Sequence, residues 1–524
     1  MALGRAQVQA GFQDPREILG DRLREGSLYR LLADHGLVMF PDDYFADLYA
    51  ESARGRPTVP ARVMATVMLL QAFEGLSDRE ACDRLEVDLR WQAAAGTDVG
   101  PAGFHPTALV GMRNRLRASA RPRRLFQDTK GAARAAGAMK GRARVLDSTP
   151  VYDAVATQDT VTQLRAAIRK VLSALDQAGS PAATRVRLVL RRDDEYAGPG
   201  KPPCDWDDPA AREALVDELV RDAVAALGAL DGQPLPLPAA AAAEVLALVA
   251  GQDVEEGDDG VFRIARKTAR DRVISTVDTT ARHGHKSRHR RFDGYKAHLS
   301  VDPDSELIDE VAATAGNAPD RDAARELLAG LAEDDDKPEV VGDSAYGDAA
   351  TRADLQAQGF AVVAKCPPAR NAKGRFPKDR FTVDLDAGTV TCPAGQTAVI
   401  IPAAAGGGRA SFRPWCATCP LRAACTAARR GRTIAIHPHE AVLQQARAVQ
   451  RDPAWQQRYR ADRPIVERKI AHFTRRAWGG RRARTRGLAR ITTDLVTRAG
   501  ALNWARLAVL GLRYDQTGWA IRAT

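Results

Sequence analysis

Residues 143–153 read ARVLDSTPVYD, a run in which helical spacing gives way to alternation. Val145, Asp147, Thr149 and Val151 fall on one side of an extended chain, as in a strand. An acid inside such a strand is expensive to bury unless it is paired or binds a cation. Asp147 is therefore the first candidate functional residue.

Downstream, residues 160–251 are Ala-rich with helical spacing and end in VEEGDDG, read as an acidic loop. This stretch reads as an insertion, with strand-type sequence resuming at RVIST from Arg272. The following HGHKSRHRRFDGYKAHLSVDPDSELIDEVAATAGN contains a β-hairpin: FDGYKAHLSV, a turn over 302–305, then LIDEVAATA. Its histidines at 283, 285, 289 and 298 are interleaved with Lys286, Arg288, Arg290, Arg291 and Lys296. Those cations would repel a metal ion, so the pattern favours phosphate contact. A helix is expected over 320–331, then a strand leading through Val340 and Val341 to Asp343 in GDSAYGD, then the helix ATRADLQAQG and the strand FAVVAKC. Strand, inserted helices, hairpin, helix, strand, helix, strand describes an α/β mixed sheet flanked by helices. Either acid alone could be structural, since an acid at a strand end can cap the next helix.

A third acid lies on a late helix, RADRPIVERKIAHFTRR, from Arg460 to Arg476. Tyr459, Arg463 and Glu467 recur every four residues, with Asp462 turned aside and Ile465, Ile470 and Phe473 supplying apolar positions. Taken alone, Glu467 reads as an i,i+4 salt-bridge partner. With acids on two separate strands before it, Glu467 completes a converging carboxylate site.

Lys plus Arg total 77 against 66 Asp plus Glu, a net charge of +11. The basic residues cluster at 282–291 and 458–490, which suits a polyanion such as nucleic acid. The opening MALGRAQVQAGFQDPRE lacks a signal-peptide core, and no apolar run reaches the roughly 18 residues of a membrane span. A cytoplasmic protein is expected, with its 7 cysteines outside structural disulfides. In the N-terminal region, PARVMATVMLLQAFEG and SDREACDRLEV, the latter with a Ser77/Glu80 capping box, are two helices at a Gly-containing turn. With the basic helix PTALVGMRNRLR they are compatible with DNA contact. Near the end, Leu495, Leu502 and Leu507 mark the apolar side of an amphipathic helix that packs back on the core.

Cys392, Cys416, Cys419 and Cys425 fall in a loop-rich segment that starts with a hairpin, FTVDLDAGTVTC, and includes CATCPLRAAC. Four cysteines with one CxxC pair suggest a structural tetrahedral Zn²⁺ site, with Cys366 as a substitute ligand. Reduced, unliganded thiols are the alternative, and Cys82 and Cys204 read as ordinary thiols.

LDSTPV, RFDGYKAHLSVD, GDSAYGD and the Tyr459–Arg463–Glu467 helix, in this order, resemble the DDE transposases of bacterial insertion sequences. The resemblance covers residues 143–476 and implies a ribonuclease-H-like fold. It implies Asp147, Asp343 and Glu467 as catalytic ligands of two Mg²⁺ (or Mn²⁺) ions that drive DNA cleavage and strand transfer. Arg463, Arg468 and Lys469, with Tyr459, Arg475 and Arg476, would face DNA. The family usually places Lys or Arg seven residues after the Glu; here that position is Thr474. The implied division is an N-terminal all-α domain over 1–140, a catalytic domain over 141–159, 270–368 and 440–524, a helical insertion over 160–269 and a Cys-rich insertion over 369–439. A homo-oligomer on element ends and target DNA is expected, with no membrane. Alternatives are an inactive DNA-binding descendant and a nuclease without strand transfer.

Overall fold

Ala143–Tyr152 is the central strand of a six-stranded mixed sheet. On one edge it pairs antiparallel with Arg290–Val301, which also pairs antiparallel with Arg282–Ser287 and with Ile308–Ala315. On its other edge it runs parallel to Glu339–Gly342, which is parallel to Val362–Ala364. This is a ribonuclease-H-like core joined to a helical region. The computed structural model describes residues 3–4, 14–50, 58–100, 103–192, 196–267, 269–287, 289–331, 333, 336–369, 374–475 and 480–522.

Alternation in the central strand decides which helix covers which face. Val145 and Val151 join Val341, Val363, Val466 and Ile470 in one core, beneath the helix Pro453–Phe473. Leu146 and Val340 face the other way, against Ala324, Leu327 and Leu328 of the helix Asp320–Leu328. Asp452 caps the Pro453–Phe473 helix by accepting from the Ala454 backbone N–H, with proline at the first position.

The N-terminal helices include Leu28–Met39, Ala61–Glu74, Asp78–Val87 and Thr107–Ala118, and the Ser77/Glu80 capping box is present. Their core is completed from the far end of the chain by Ala501, Trp504, Leu507 and Leu512. The helix Leu488–Val509 is consequently less one-sided than its sequence suggests. Leu495, Val496 and Leu502 pack in the sheet core, and the next turn packs among the N-terminal helices. At Gly500 a Cβ would lie 3.1 Å from the Leu125 carbonyl oxygen, so glycine there permits the close crossing.

Two local expectations are corrected. RVIST is not a strand: side chains take the place of a ladder. Gln252 accepts from the Val273 N–H at 2.9 Å, Gln163 donates to the Val273 carbonyl at 2.9 Å, and Gln158 accepts from the Thr276 N–H at 2.8 Å. The loop VEEGDDG instead begins with a strand, Val254–Glu256, paired antiparallel with Phe262–Ile264. Between the Thr160–Gln177 helix and that hairpin, Pro209–Leu230 and Leu237–Gln252 pack with it in a separate apolar core.

Arg144 of the central strand is 3% exposed and donates to Asp309 at 2.9 Å and to Asp302 at 3.2 Å, both acids being buried. Burial raises the Asp309 carboxyl, but Arg144 and Lys130 outweigh it and hold it below its ordinary value. A carboxylate depressed in the folded state contributes stability above its unfolded pKa of about 4, and loses it as pH falls through the folded value. Arg144→Met strands these charges, and is expected to cost about 3–5 kcal/mol in urea unfolding at pH 7. The difference from the wild type should close as the pH falls below about 4.

Candidate active site

Sheet register brings two of the three acids level. Val145 pairs with Val341 in the parallel ladder, and Asp147 and Asp343 each lie two residues further on. Because a strand repeats every two residues, both carboxylates fall on the face that carries Val145 and Val341. Asp147 is fixed by the Ser148 N–H, which donates to its Oδ1 at 2.8 Å. Asp343, just past its strand, accepts from the Ala345 N–H at 2.8 Å. Glu467 comes from the helix over the same face, where Val466 and Ile470 point into the core and leave the Glu467 side chain 63% exposed.

Arg463, one helical turn before Glu467, ties these elements together. Its Nη2 lies 2.9 Å from Asp147 Oδ2 and 3.7 Å from Glu467 Oε1, while its buried Nη1 has no hydrogen-bond partner among the described residues. Burial raises the Asp147 carboxyl above its ordinary value, working against the attraction of Arg463, and the nearby Asp343 adds to the rise. For Arg463, burial pulls downward, but Asp147, Glu467 and Asp343 more than offset it.

The three acids line one open cleft of about 660 Å³. Lys286, Lys296, Arg463 and Arg481 supply its positive wall.

A family model described as "Transposase DDE domain" matches residues 228–504, and one described as "Transposase domain (DUF772)" matches residues 18–115. The chain belongs to the DDE transposase family. No curated protein and no solved structure matches it. A DDE transposase domain identifies a nucleic-acid-cleaving enzyme of transposition acting on DNA, and such transposases generally use divalent ions such as Mg²⁺. The matched segment includes Asp343 and Glu467 but begins after Asp147, so Asp147 joins the candidate set through register and Arg463. Among the described residues, no helix is long and apolar enough to cross a membrane.

The cleft of this DDE transposase holds a fourth carboxylate that sequence reasoning passed over. Asp320 accepts from Lys296 Nζ at 2.8 Å and from Ser148 Oγ at 2.8 Å, linking it through Ser148 to Asp147. In the sequence it looks like an acid opening a helix; the hairpin register that brings Lys296 and Ser148 to it has no local signature. Near enough to feel its charge are two buried polar atoms without partners among the described residues, Tyr346 Oη and His298 Nδ1.

The residues expected to face DNA divide into distinct groups. Lys286, Lys296 and Arg463 line the cleft, Arg290 and Arg291 are exposed on their strand, and Arg475 is exposed beyond the helix. Tyr459 is buried and stacks on Trp455 at 5.2 Å. Arg468 donates to Glu306 at 2.6 Å, and Lys469, also near Glu306, is buried and pulled down to about 8 by that burial. None of these last three lines the cleft. Arg288 and Arg476 lie outside the described residues. One expectation is corrected: His298 is buried in the sheet and shares a hydrogen bond with Thr314 at 2.8 Å, so it is not placed for phosphate.

Cys392, Cys416, Cys419 and Cys425 line a small cavity of about 20 Å³ beside a five-stranded antiparallel sheet over residues 382–436. Cys416 Sγ accepts from the Arg432 N–H at 3.4 Å. As the side chains stand, no group of three or more His, Cys, Asp or Glu among the described residues could hold a metal ion. In the cleft, Arg463 occupies the place between Asp147 and Glu467. The donor chemistry there, hard carboxylate oxygens around a cationic group, suits Mg²⁺, and the exposed Glu467 side chain has room to turn.

Arg463→Met should leave Asp147 desolvated and unpaired. Urea unfolding in EDTA at pH 7 is expected to show a loss of about 2–4 kcal/mol, partly recovered when Mg²⁺ is added.

Proposed function

We propose that this chain cleaves DNA at the ends of an insertion sequence and joins them to a target, with Asp147, Asp343 and Glu467 as the ligands of two Mg²⁺ or Mn²⁺ ions. The observation that carries the reading is convergence: three acids from two neighbouring strands and the covering helix line one cleft with a basic wall. When bound, the ions would activate the attacking water or 3′-hydroxyl and stabilise the leaving oxygen. Asp147 would be the ligand shared by both ions, since its side chain is 16% exposed against 63% for Glu467 and its strand runs beside the one that leads to Asp343. Arg463, released from Glu467, would then neutralise phosphate charge beside Asp147. Lys286 and Arg481 hold the backbone at the rim, and Lys296 with Ser148 and Asp320 orients the Asp147 strand. Cutting and joining two ends in concert further implies a homo-oligomer on DNA.

The test uses purified protein and duplexes that carry the terminal repeats flanking the gene, with and without Mg²⁺. Asp343→Asn is expected to lower cleavage and joining by at least about 10³-fold, the scale on which removing transition-state charge stabilisation acts. Cleavage that survives Asp343→Asn would sink the site assignment, and metal-dependent cleavage without joined products would leave a nuclease.

A structural zinc in the Cys-rich segment belongs to the same proposal, supported by four thiols around one cavity and by the Arg432 N–H bond to Cys416. The thiols would close by rotamer change to a tetrahedral set with no open position, so the ion would stabilise the segment without catalysing. Metal analysis of protein never exposed to chelator should find about one equivalent of zinc; less than about half an equivalent would remove zinc from the assignment.

A further inference from the structure

A second cleft, of about 640 Å³, lies between the two ends of the chain. Asp78–Val87 and Thr107–Ala118 supply one wall, and the segment from Arg484 into the Leu488–Val509 helix supplies the other. Five arginines line it, Arg79, Arg113, Arg117, Arg484 and Arg490, against two acids. Both acids are already engaged: Asp78 accepts from Arg113 at 2.9 Å, and Asp494 pairs with Arg498 at 3.0 Å. Arg79 and Arg490 are exposed and make no ion pair among the described residues. The Arg117 guanidinium is held below its ordinary value by burial and then by repulsion from Arg490 and Arg113. Positive charge is crowded here, and of the five arginines Arg113 alone is paired with a carboxylate among the described residues.

The cleft is coupled mechanically to the catalytic one. Arg481 lines the catalytic cleft and Arg484, three residues on, lines the second. Their backbones are at most about 11 Å apart. The connecting segment is pinned to the end of the Asp147 strand: the Tyr152 N–H donates to the Arg481 carbonyl at 2.7 Å, and the Ala483 N–H to the Tyr152 carbonyl at 2.8 Å. Arg484 also donates to the Leu76 carbonyl, closing the gap to the N-terminal helices.

We propose that this second cleft grips the sugar–phosphate backbone of the same DNA whose scissile phosphate enters the catalytic cleft. Spaced guanidinium forks on separate rigid elements suit successive phosphates, and the Arg481–Arg484 segment gives the backbone a continuous basic track between the two sites. The assignment rests on the DNA-cleaving reading, but its test does not require cleavage.

Full-length protein in EDTA is titrated against a fluorescent 40-bp duplex of arbitrary sequence over a range of salt concentrations. Arg117→Ala/Arg490→Ala is compared with the wild type, with Asp343→Asn, and with a control pair, Arg429→Ala/Arg430→Ala, in the Cys-rich segment. The cleft variant is expected to bind at least about 10-fold more weakly, with the slope of log K against log salt reduced by about 1.8, near 0.9 per lost phosphate contact. The control should bind as the wild type does and Asp343→Asn no more weakly, since it removes a negative charge from the DNA path, and circular dichroism should show the cleft variant folded. An unchanged affinity and slope, or an equal loss in the control pair, would overturn the proposal while leaving metal-dependent cleavage intact. Displacement of the DNA by polyglutamate at equal charge concentration would also overturn it, assigning the cleft to an acidic protein segment.

Discussion

The Arg463 guanidinium is the only cationic group that touches both Asp147 and Glu467 among the described residues. The architecture around the site can be understood from that contact. A carboxylate set into the central strand and desolvated by its neighbours needs a positive partner. The helix that brings the partner must cross the sheet face that carries that acid. Once Arg463 is so placed, helical spacing puts Glu467 at the rim and Val466 and Ile470 beneath it. One ion pair thus fixes the rotation of a 21-residue helix on the sheet.

The same contact defines what loading the site entails. A hydrated divalent ion held by these acids would compete with the guanidinium for the same oxygens, and would need ligands that the arginine cannot use. On the proposed assignment Asp343 would be such a ligand, since sheet register sets it level with Asp147.

Much of this was legible in the sequence, because alternation in 143–153, the hairpin after Phe292 and helical spacing around Glu467 are local patterns with local causes. The three acids, Lys296 and Arg463 could be named from those patterns. What escaped is non-local. Asp320 acquires its place only when the hairpin registers against the central strand. RVIST has strand composition, yet glutamines from two other segments satisfy its backbone, and the strand Arg282–Ser287 has none of the apolar alternation that marks its neighbours. His298 looked like part of a phosphate-binding run because charge dominates its surroundings in sequence, while its strand position turns it inward. The burial of Tyr459 and Lys469 follows from helix rotation, which composition alone does not specify.

The Leu488–Val509 helix has a consequence for how the molecule comes into being. The N-terminal helices bury Ala501, Trp504, Leu507 and Leu512 alongside Leu31, Met64 and Trp91. At elongation rates of about 5 to 20 residues per second, roughly 20 to 75 s separate synthesis of residue 133 from that of residue 512. Throughout that interval the helices made first have an open apolar groove awaiting the last helix made. The arginine-lined cleft between the chain ends is absent for just as long, so a truncated or still-growing chain presents the strands of Asp147 and Asp343 without the second cleft, which both ends of the chain must meet to build.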